Sequence, residues 1–203
     1  MNPENRKRKR SEAPRLTRDD WLDAAFQAVV EGGFDNVRVL VIAQTLGVTR
    51  GSFYWHFNDH ADLVSSLIER WRKREVELDR ALQLDATDDP KADLEHLLEA
   101  ALAHAGADLE NMRFELALRG LGRRDPVVAK MLVEVDAARM ALFEDKFLRL
   151  TDDPKTAEEL AVLFYLAIVG SYQALSRPTS PPQAKDYLKG IITDYLIRRQ
   201  VKT

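Results

Sequence analysis

Apolar side chains recur along most of this chain every three or four residues, and that spacing predicts helices throughout. Leu22, Ala25, Phe26 and Val29 make the first stripe. It begins after Thr17, with Asp20 three residues on as a capping partner, and stops at Gly32-Gly33. The next stretch is ambiguous, because Val37, Val39 and Val41 alternate with Arg38 and Leu40 as in a strand. A solitary strand would have no partner, since no other run alternates. The helical register over Arg38 to Leu46 puts Val39, Ile42, Ala43 and Leu46 on one face, so a second helix is expected. A third runs from Thr49 to about Phe57 after a turn at Gly47, which can take the left-handed conformation that ends a helix. Thr49 is expected to cap it by accepting a bond from a free backbone N–H. Ile42, Ala43, Leu46, Val48, Phe53 and Phe57 would form the core behind this pair. Arg50, Ser52, Tyr54, Trp55 and His56 would point outward.

After the Asn58-Asp59 turn a long fourth helix is expected, about Ala61 to Leu84, meeting the first three through Leu63 and Leu67. Asp85 to Asp89 reads as a polar hinge, and Pro90 opens a fifth helix. Breaks near Gly106, at Gly122 to Pro126, at Thr151 to Pro154 and at Pro178 to Pro182 divide the remainder. Asp125-Pro126 and Thr156-x-x-Glu159 are helix starts. The eighth helix, about Lys155 to Ser176, is apolar nearly all round from Leu160 to Tyr172, so it must be covered on every side. The ninth, about Gln183 to Arg199, carries the stripe Tyr187, Leu188, Ile191, Ile192, Tyr195 and Leu196. Both helices could close the core of one chain. The apolar excess instead suits a four-helix bundle shared by two chains, with Leu163, Leu166, Val169, Leu188, Ile192 and Leu196 at the interface. The expected fold is all-α: a three-helix helix-turn-helix head over residues 15–60, joined to a helical body over 61–203.

Composition narrows the setting. Hydrophobic residues at 45% and charged residues at 31% suit a soluble globular chain, and the absence of cysteine fits a reducing cytoplasm. The longest apolar run, Leu160 to Val169, is too short to span a bilayer, so no membrane partner is expected. The net charge of −3 hides an asymmetry. Residues 1–60 hold nine Lys/Arg against eight Asp/Glu, whereas residues 61–203 hold twenty-one against twenty-five. The positive charge also clusters at Arg6-Lys7-Arg8-Lys9-Arg10. Residues 1–14 lack apolar periodicity and read as a disordered basic arm, either a solvated tail or a strand of charge for phosphates or a minor groove.

Two short helices joined by a Gly-containing turn make a helix-turn-helix, whose second helix can enter a DNA major groove. Tyr54, Trp55 and His56 combine flat apolar bodies with polar tips that can bond a phosphate or a base edge. The run Val-Thr-Arg-Gly-Ser-Phe-Tyr-Trp-His-Phe from Val48 to Phe57, preceded by Ile42-Ala43 and followed by Leu63, resembles the recognition segment of TetR-family transcription regulators. The likeness extends upstream through Phe26, Gly33 and Phe34 and covers about the first third of the chain. It implies a dimer on palindromic operator DNA, most simply a repressor, released by a small apolar or amphipathic effector. Arg50, Ser52 and Trp55 would then face base edges, with Thr49, Tyr54 and His56 on phosphates. Thr17, Arg38 and His60 are further candidates for the DNA backbone. The family commonly carries a lysine where His60 stands, and a Thr or Ser cap near Val37 or Arg38. Here the pattern departs, with Leu40 and Val41 at positions that are usually polar.

Candidates for other chemistry are few. There is no Gly-rich phosphate loop, nucleophile elbow or Cys-His cluster, so neither an enzyme nor a cofactor is expected. His56 and His60 have the spacing of a metal pair, but a turn interrupts them and no third ligand is evident, so no metal is expected. In the body, Arg139 falls within the stripe Val128, Met131, Leu132, Val135 and Leu142. A buried arginine must be paired, with Glu115 or Asp136 as the nearest internal acids or with a bound ligand. Arg113 and His104 are the other ligand candidates. An activator, a ligand-independent regulator, and a helical binding protein or enzyme with a vestigial helix-turn-helix stay open as alternatives.

Overall fold

The computed structural model describes residues 16–84, 87–107, 109–175 and 184–197. The basic arm at 1–14 and the break at Pro178 to Pro182 lie outside them. The described residues are helical, with no strand among them. The order is α1 (Arg18–Gly32), a 3-10 turn (Phe34–Asn36), α2 (Val39–Thr45), α3 (Arg50–Phe53), α4 (His60–Leu84), α5 (Pro90–Ala107), α6 (Leu109–Gly122), α7 (Pro126–Thr151), α8 (Pro154–Leu175) and α9 (Ala184–Ile192). A π turn, Thr193–Ile197, continues α9. The alternating valines resolve as a helix: Val37 is buried before it, Val39 half-buried, and Val41 exposed on it.

Side-chain caps set the boundaries. Thr17 and Asp20 form a reciprocal capping box on α1. Asp125 accepts from the amides of Val127 at 2.9 Å and Val128 at 3.2 Å, and Pro126 gives up a donor that would have no partner there. Helix α8 starts earlier than Thr156-x-x-Glu159 suggests. The Asp153 carboxylate accepts the Thr156 amide at 3.1 Å, which leaves Thr156 inside the helix.

One core runs across the boundary expected near residue 60. Trp21, Leu22, Phe53, Leu63, Leu67 and Trp71 pack with Phe114 and Leu118 of α6 and with Val128 and Leu132 of α7. Phe26 stacks on Phe114 with ring centroids 5.0 Å apart, and Phe34 meets its edge at 5.6 Å. Rings in these offset and edge-on arrangements add to the area they bury. Helix α6 therefore packs directly on α1 and the 3-10 turn, and α7 on α4.

A second core joins Leu94, Leu97 and Leu98 of α5 with Phe143 and Phe147 of α7 and Phe164 and Ile168 of α8. It does not consume all the apolar surface. Val162, Leu163 and Leu166 on α8 stay exposed, as do Tyr187, Ile191 and Tyr195, while Val169 is half-buried. Ile192, expected at an interface between chains, is instead 2% exposed and packs into its own protomer's core. Leu196 is half-buried against the same cluster. The ninth helix therefore presents the neighbouring face, Ile191 and Tyr195, outward. The side chain of Leu188 lies outside the described residues. Among those described, no helix is long and apolar enough to cross a membrane.

Candidate nucleic-acid interface

The turn between α2 and α3 fixes the geometry of the interface. Gly47 has φ +68°, and its N–H donates to the Gln44 carbonyl at 3.0 Å. The Val48 N–H reaches the Ala43 carbonyl at 2.9 Å. These two bonds are a Schellman motif, which closes the last carbonyls of α2 and turns the chain sharply. Thr49 occupies the N-cap position of α3, but its side chain makes no capping bond there, against expectation. The α-helix lasts only from Arg50 to Phe53 and then tightens. Trp55 and His56 donate to the carbonyls of Ser52 and Phe53, three residues back, at 3.3 and 2.9 Å.

Phe53 and Phe57 anchor this short element from below, stacked 5.4 Å apart, with the buried Trp21 edge-on to Phe53 at 5.4 Å. Above them Thr49, Arg50, Tyr54 and Trp55 are exposed, Trp55 to 81%. A guanidinium nitrogen of Arg50 donates to the Tyr54 hydroxyl at 3.3 Å, so the two side chains lie together on one face. Ser52 and His56 are only half-exposed, and the His56 ring sits 6.5 Å from Trp21. Leu40 and Val41 on α2 are exposed apolar residues beside polar Gln44 and Thr45.

The three peripheral candidates have other partners. The Thr17 hydroxyl donates to Asp20 Oδ2 at 2.7 Å and accepts the Asp20 amide at 3.3 Å. The Thr17 backbone N–H, which donates to Asp20 Oδ2 at 2.6 Å, and then the Thr17 hydroxyl hold the Asp20 carboxyl below its ordinary range, and the hydroxyl spends there the proton that a phosphate would need. Thr17 is thus a cap and not a free phosphate donor. Arg38 is exposed, with Nε donating to the Asp35 carbonyl at 3.3 Å. His60 Nε2 donates to the Val37 carbonyl at 2.7 Å, tying the start of α4 to the chain just before α2. Arg18, which the sequence offers only as part of the positive cluster with Arg15, has a structural role. Its guanidinium lies 4.6 Å from the Phe57 ring centroid and donates to Ser66 at 2.6 Å, clamping the end of the recognition segment onto α4.

Behind this head lies a buried charged network. Arg139 is 8% exposed and donates to Glu115 at 2.9 and 3.1 Å and to Glu75 at 2.6 Å. Arg119 bridges Glu115, Asp136 and the Tyr165 hydroxyl. Helices α4, α6, α7 and α8 are thereby linked. Burial alone would raise the Glu115 carboxyl, but Arg139 and Arg119 outweigh it and hold the group below its usual range. Asp79 receives too little of this relief. Burial pushes it to about 6, and Glu75 and Glu115 add to the shift while Arg139 opposes it. Glu75 and Asp79 were not anticipated, although a signal existed: Leu67, Trp71, Glu75 and Asp79 follow at intervals of four on one face of α4. Asp136, the other acid considered for Arg139, belongs to Arg119. Arg113 is half-buried on α6, and the side chain of His104 lies outside the described residues. Among the described residues no three His, Cys, Asp or Glu side chains gather as a metal site.

Residues 22–67 match the family described as bacterial regulatory proteins, tetR family. Over 91 residues the chain is 34% identical to the HTH-type transcriptional regulator TtgR of Pseudomonas putida, covering 45% of this chain and 43% of that one. It is equally identical over 91 residues to AcrR of Shigella flexneri, covering 45% and 42%. The chain thus spans less than half the length of these curated relatives. A Saccharomonospora viridis protein, solved in complex with choline, superposes with a TM-score of 0.75 at 19% identity, over 92% of this chain and 98% of that one. That last likeness is one of fold.

Proposed function

We propose that this chain is a TetR-type regulator through its DNA-binding domain, and that it acts as a dimeric transcription repressor. Residues 15–60 form the head and residues 61–203 the body in this reading, with residues 1–14 as a basic arm. The observation that carries it is the short α3 set by the Gly47 turn, with Arg50, Tyr54 and Trp55 exposed on a rigid aromatic base. A surface of that size and chemistry fits a major groove, where Arg50 reads a base edge and the aromatic residues meet sugar and phosphate. Leu40 and Val41 give α2 an apolar approach to the DNA instead of a phosphate-binding one.

The exposed apolar residues on α8 and α9 support a two-fold bundle, centred on Leu163, Leu166, Ile191 and Tyr195. Two heads would then meet successive major grooves, about 34–36 Å apart on undistorted DNA. The choline held by the S. viridis protein supports a small molecule as the effector here as well. Selection of bound duplexes from a random pool tests the reading. The expected result is a palindromic site whose affinity falls steeply with salt. Recovery of unrelated sequences only, at every salt concentration, overturns it.

A further inference from the structure

Where α1, α4 and α6 meet, a cavity of about 270 Å³ opens. Its apolar walls are Phe26 from α1 and Leu67 and Trp71 from α4. Trp71 is 4% exposed, and its indole N–H has no acceptor among the described residues. A buried donor without a partner keeps the full cost of leaving water, so such a group calls for an acceptor. Trp21 carries a second N–H of this kind, but it is 0% exposed within the core of the head. Trp71 differs in standing on a cavity wall, where an acceptor can enter.

The charge around the cavity selects that acceptor. Two guanidiniums, Arg70 and Arg74, line it against one carboxylate, Asp23. Arg70 donates one N–H to Asp23 at 2.7 Å and makes no other hydrogen bond among the described residues. A guanidinium has five N–H donors, so most of those on Arg70 remain for a ligand or for water. Arg74 donates to the side-chain oxygen of the buried Asn111 at 2.9 Å, which fixes its charge beside α6. A cation is repelled there. A neutral acceptor satisfies the indole N–H but gains little from Arg70. A carboxylate, planar and singly charged, offers one oxygen to each. A phosphate brings further oxygens that Phe26 and Leu67 cannot serve. The volume lies just below the roughly 300–1,000 Å³ of drug-sized sites, so the molecule must be compact.

We propose that this cavity binds a compact organic carboxylate, its oxygens on the Trp71 indole N–H and on Arg70, and its apolar body against Phe26 and Leu67. The ligand touches α1, α4 and α6 at once, and by mass action it stabilises the fold in which they meet. The site lies away from the recognition surface, and it stands whether or not the chain binds DNA.

Indole N–H resonances test it directly. The chain has three tryptophans, Trp21, Trp55 and Trp71, and Trp71→Phe assigns the signal in question. Titration of the full chain with sodium benzoate is expected to move the Trp71 signal and to leave that of Trp21 in place. Benzamide should act more weakly by roughly fivefold or more, as one partly exposed charge pair allows. Arg70→Gln should remove that preference. Arg70 is half-buried, so an unchanged thermal midpoint shows that the variant keeps the fold. Sodium sulfate at equal ionic strength should leave the signal in place. A Trp71 signal that benzoate does not move overturns the site and leaves an ordered water as the acceptor. Equal responses of wild type and Arg70→Gln, or of benzoate and sulfate, also overturn it. Should Trp71→Phe fail to fold, the Arg70→Gln comparison still decides.

Discussion

Replacing Arg139 by Met should show how the charged network holds the first helices on the body. The guanidinium makes three hydrogen bonds, and its loss falls unequally on the two acids. Glu115 keeps Arg119, which donates to it at 2.7 and 3.0 Å. Glu75 is 6% exposed, and among the described residues Arg139 is its only hydrogen-bond partner. The variant therefore buries an uncompensated carboxylate on the helix that carries the head. Breaking a buried pair from one side costs about 3–5 kcal/mol, much of a domain's stability of about 5–15 kcal/mol. Urea unfolding at pH 7 and fixed protomer concentration measures the loss, since a dimer's stability depends on concentration. Glu75→Met added to Arg139→Met removes the orphaned charge and should recover most of it, because Glu115 and Arg119 remain paired. The single variant should also regain stability in acid. A buried carboxylate without a partner is penalised only in its charged form, so the deficit grows as pH rises. A single variant within about 1 kcal/mol of wild type at pH 7, or a double variant no better than the single, refutes this account of the network.

Asp79, raised to about 6 from an ordinary 3.8, opposes folding in its charged form; the stability it contributes when protonated is present at low pH and lost as pH rises through 6. Asp79→Asn should therefore stabilise the chain at pH 7 by about 1 kcal/mol, discounted for its partial exposure, and flatten the urea midpoint between pH 4 and 6. Arg50→Ala should cost about 1–3 kcal/mol of discrimination between the selected site and unrelated DNA, while Tyr54→Phe weakens both alike in gel-shift titrations. Leu166→Glu with Tyr195→Glu should give folded monomers by sedimentation and circular dichroism. Ile192→Glu, aimed into the protomer's own core, should instead lose helix content; the opposite pairing of results would overturn the outward face assigned to α9.

What could be read from the sequence divides along a physical line. Local rules were enough where a few neighbouring residues decide the outcome: the Gly47 turn, the Asp125-Pro126 cap, and the stripe of Ile42, Ala43, Phe53 and Phe57. They were also enough to demand a partner for Arg139, because a buried charge carries that requirement wherever it lies. They failed where the outcome depended on which of two adjacent residues a distant helix covers. Ile191 and Ile192 are chemically alike, and only the packing against α5 and α8 turns one outward and the other in. Thr17 and Thr49 show the same limit in reverse. Both stand at N-caps, yet a box with Asp20 binds the Thr17 hydroxyl, while Thr49 makes no capping bond and stays exposed at the mouth of the recognition turn. The head's strongest departure from the TetR-family pattern that it resembles, Leu40 and Val41, follows from neither rule. These two residues are exposed on the helix that packs directly behind α3, where burial cannot be the reason for their character. An apolar surface at that position fits sugar edges and thymine methyl groups better than charged oxygens. Base preference at the rim of the operator is therefore the property that Leu40→Ser and Val41→Ser should change, with stability left within about 0.5 kcal/mol of wild type.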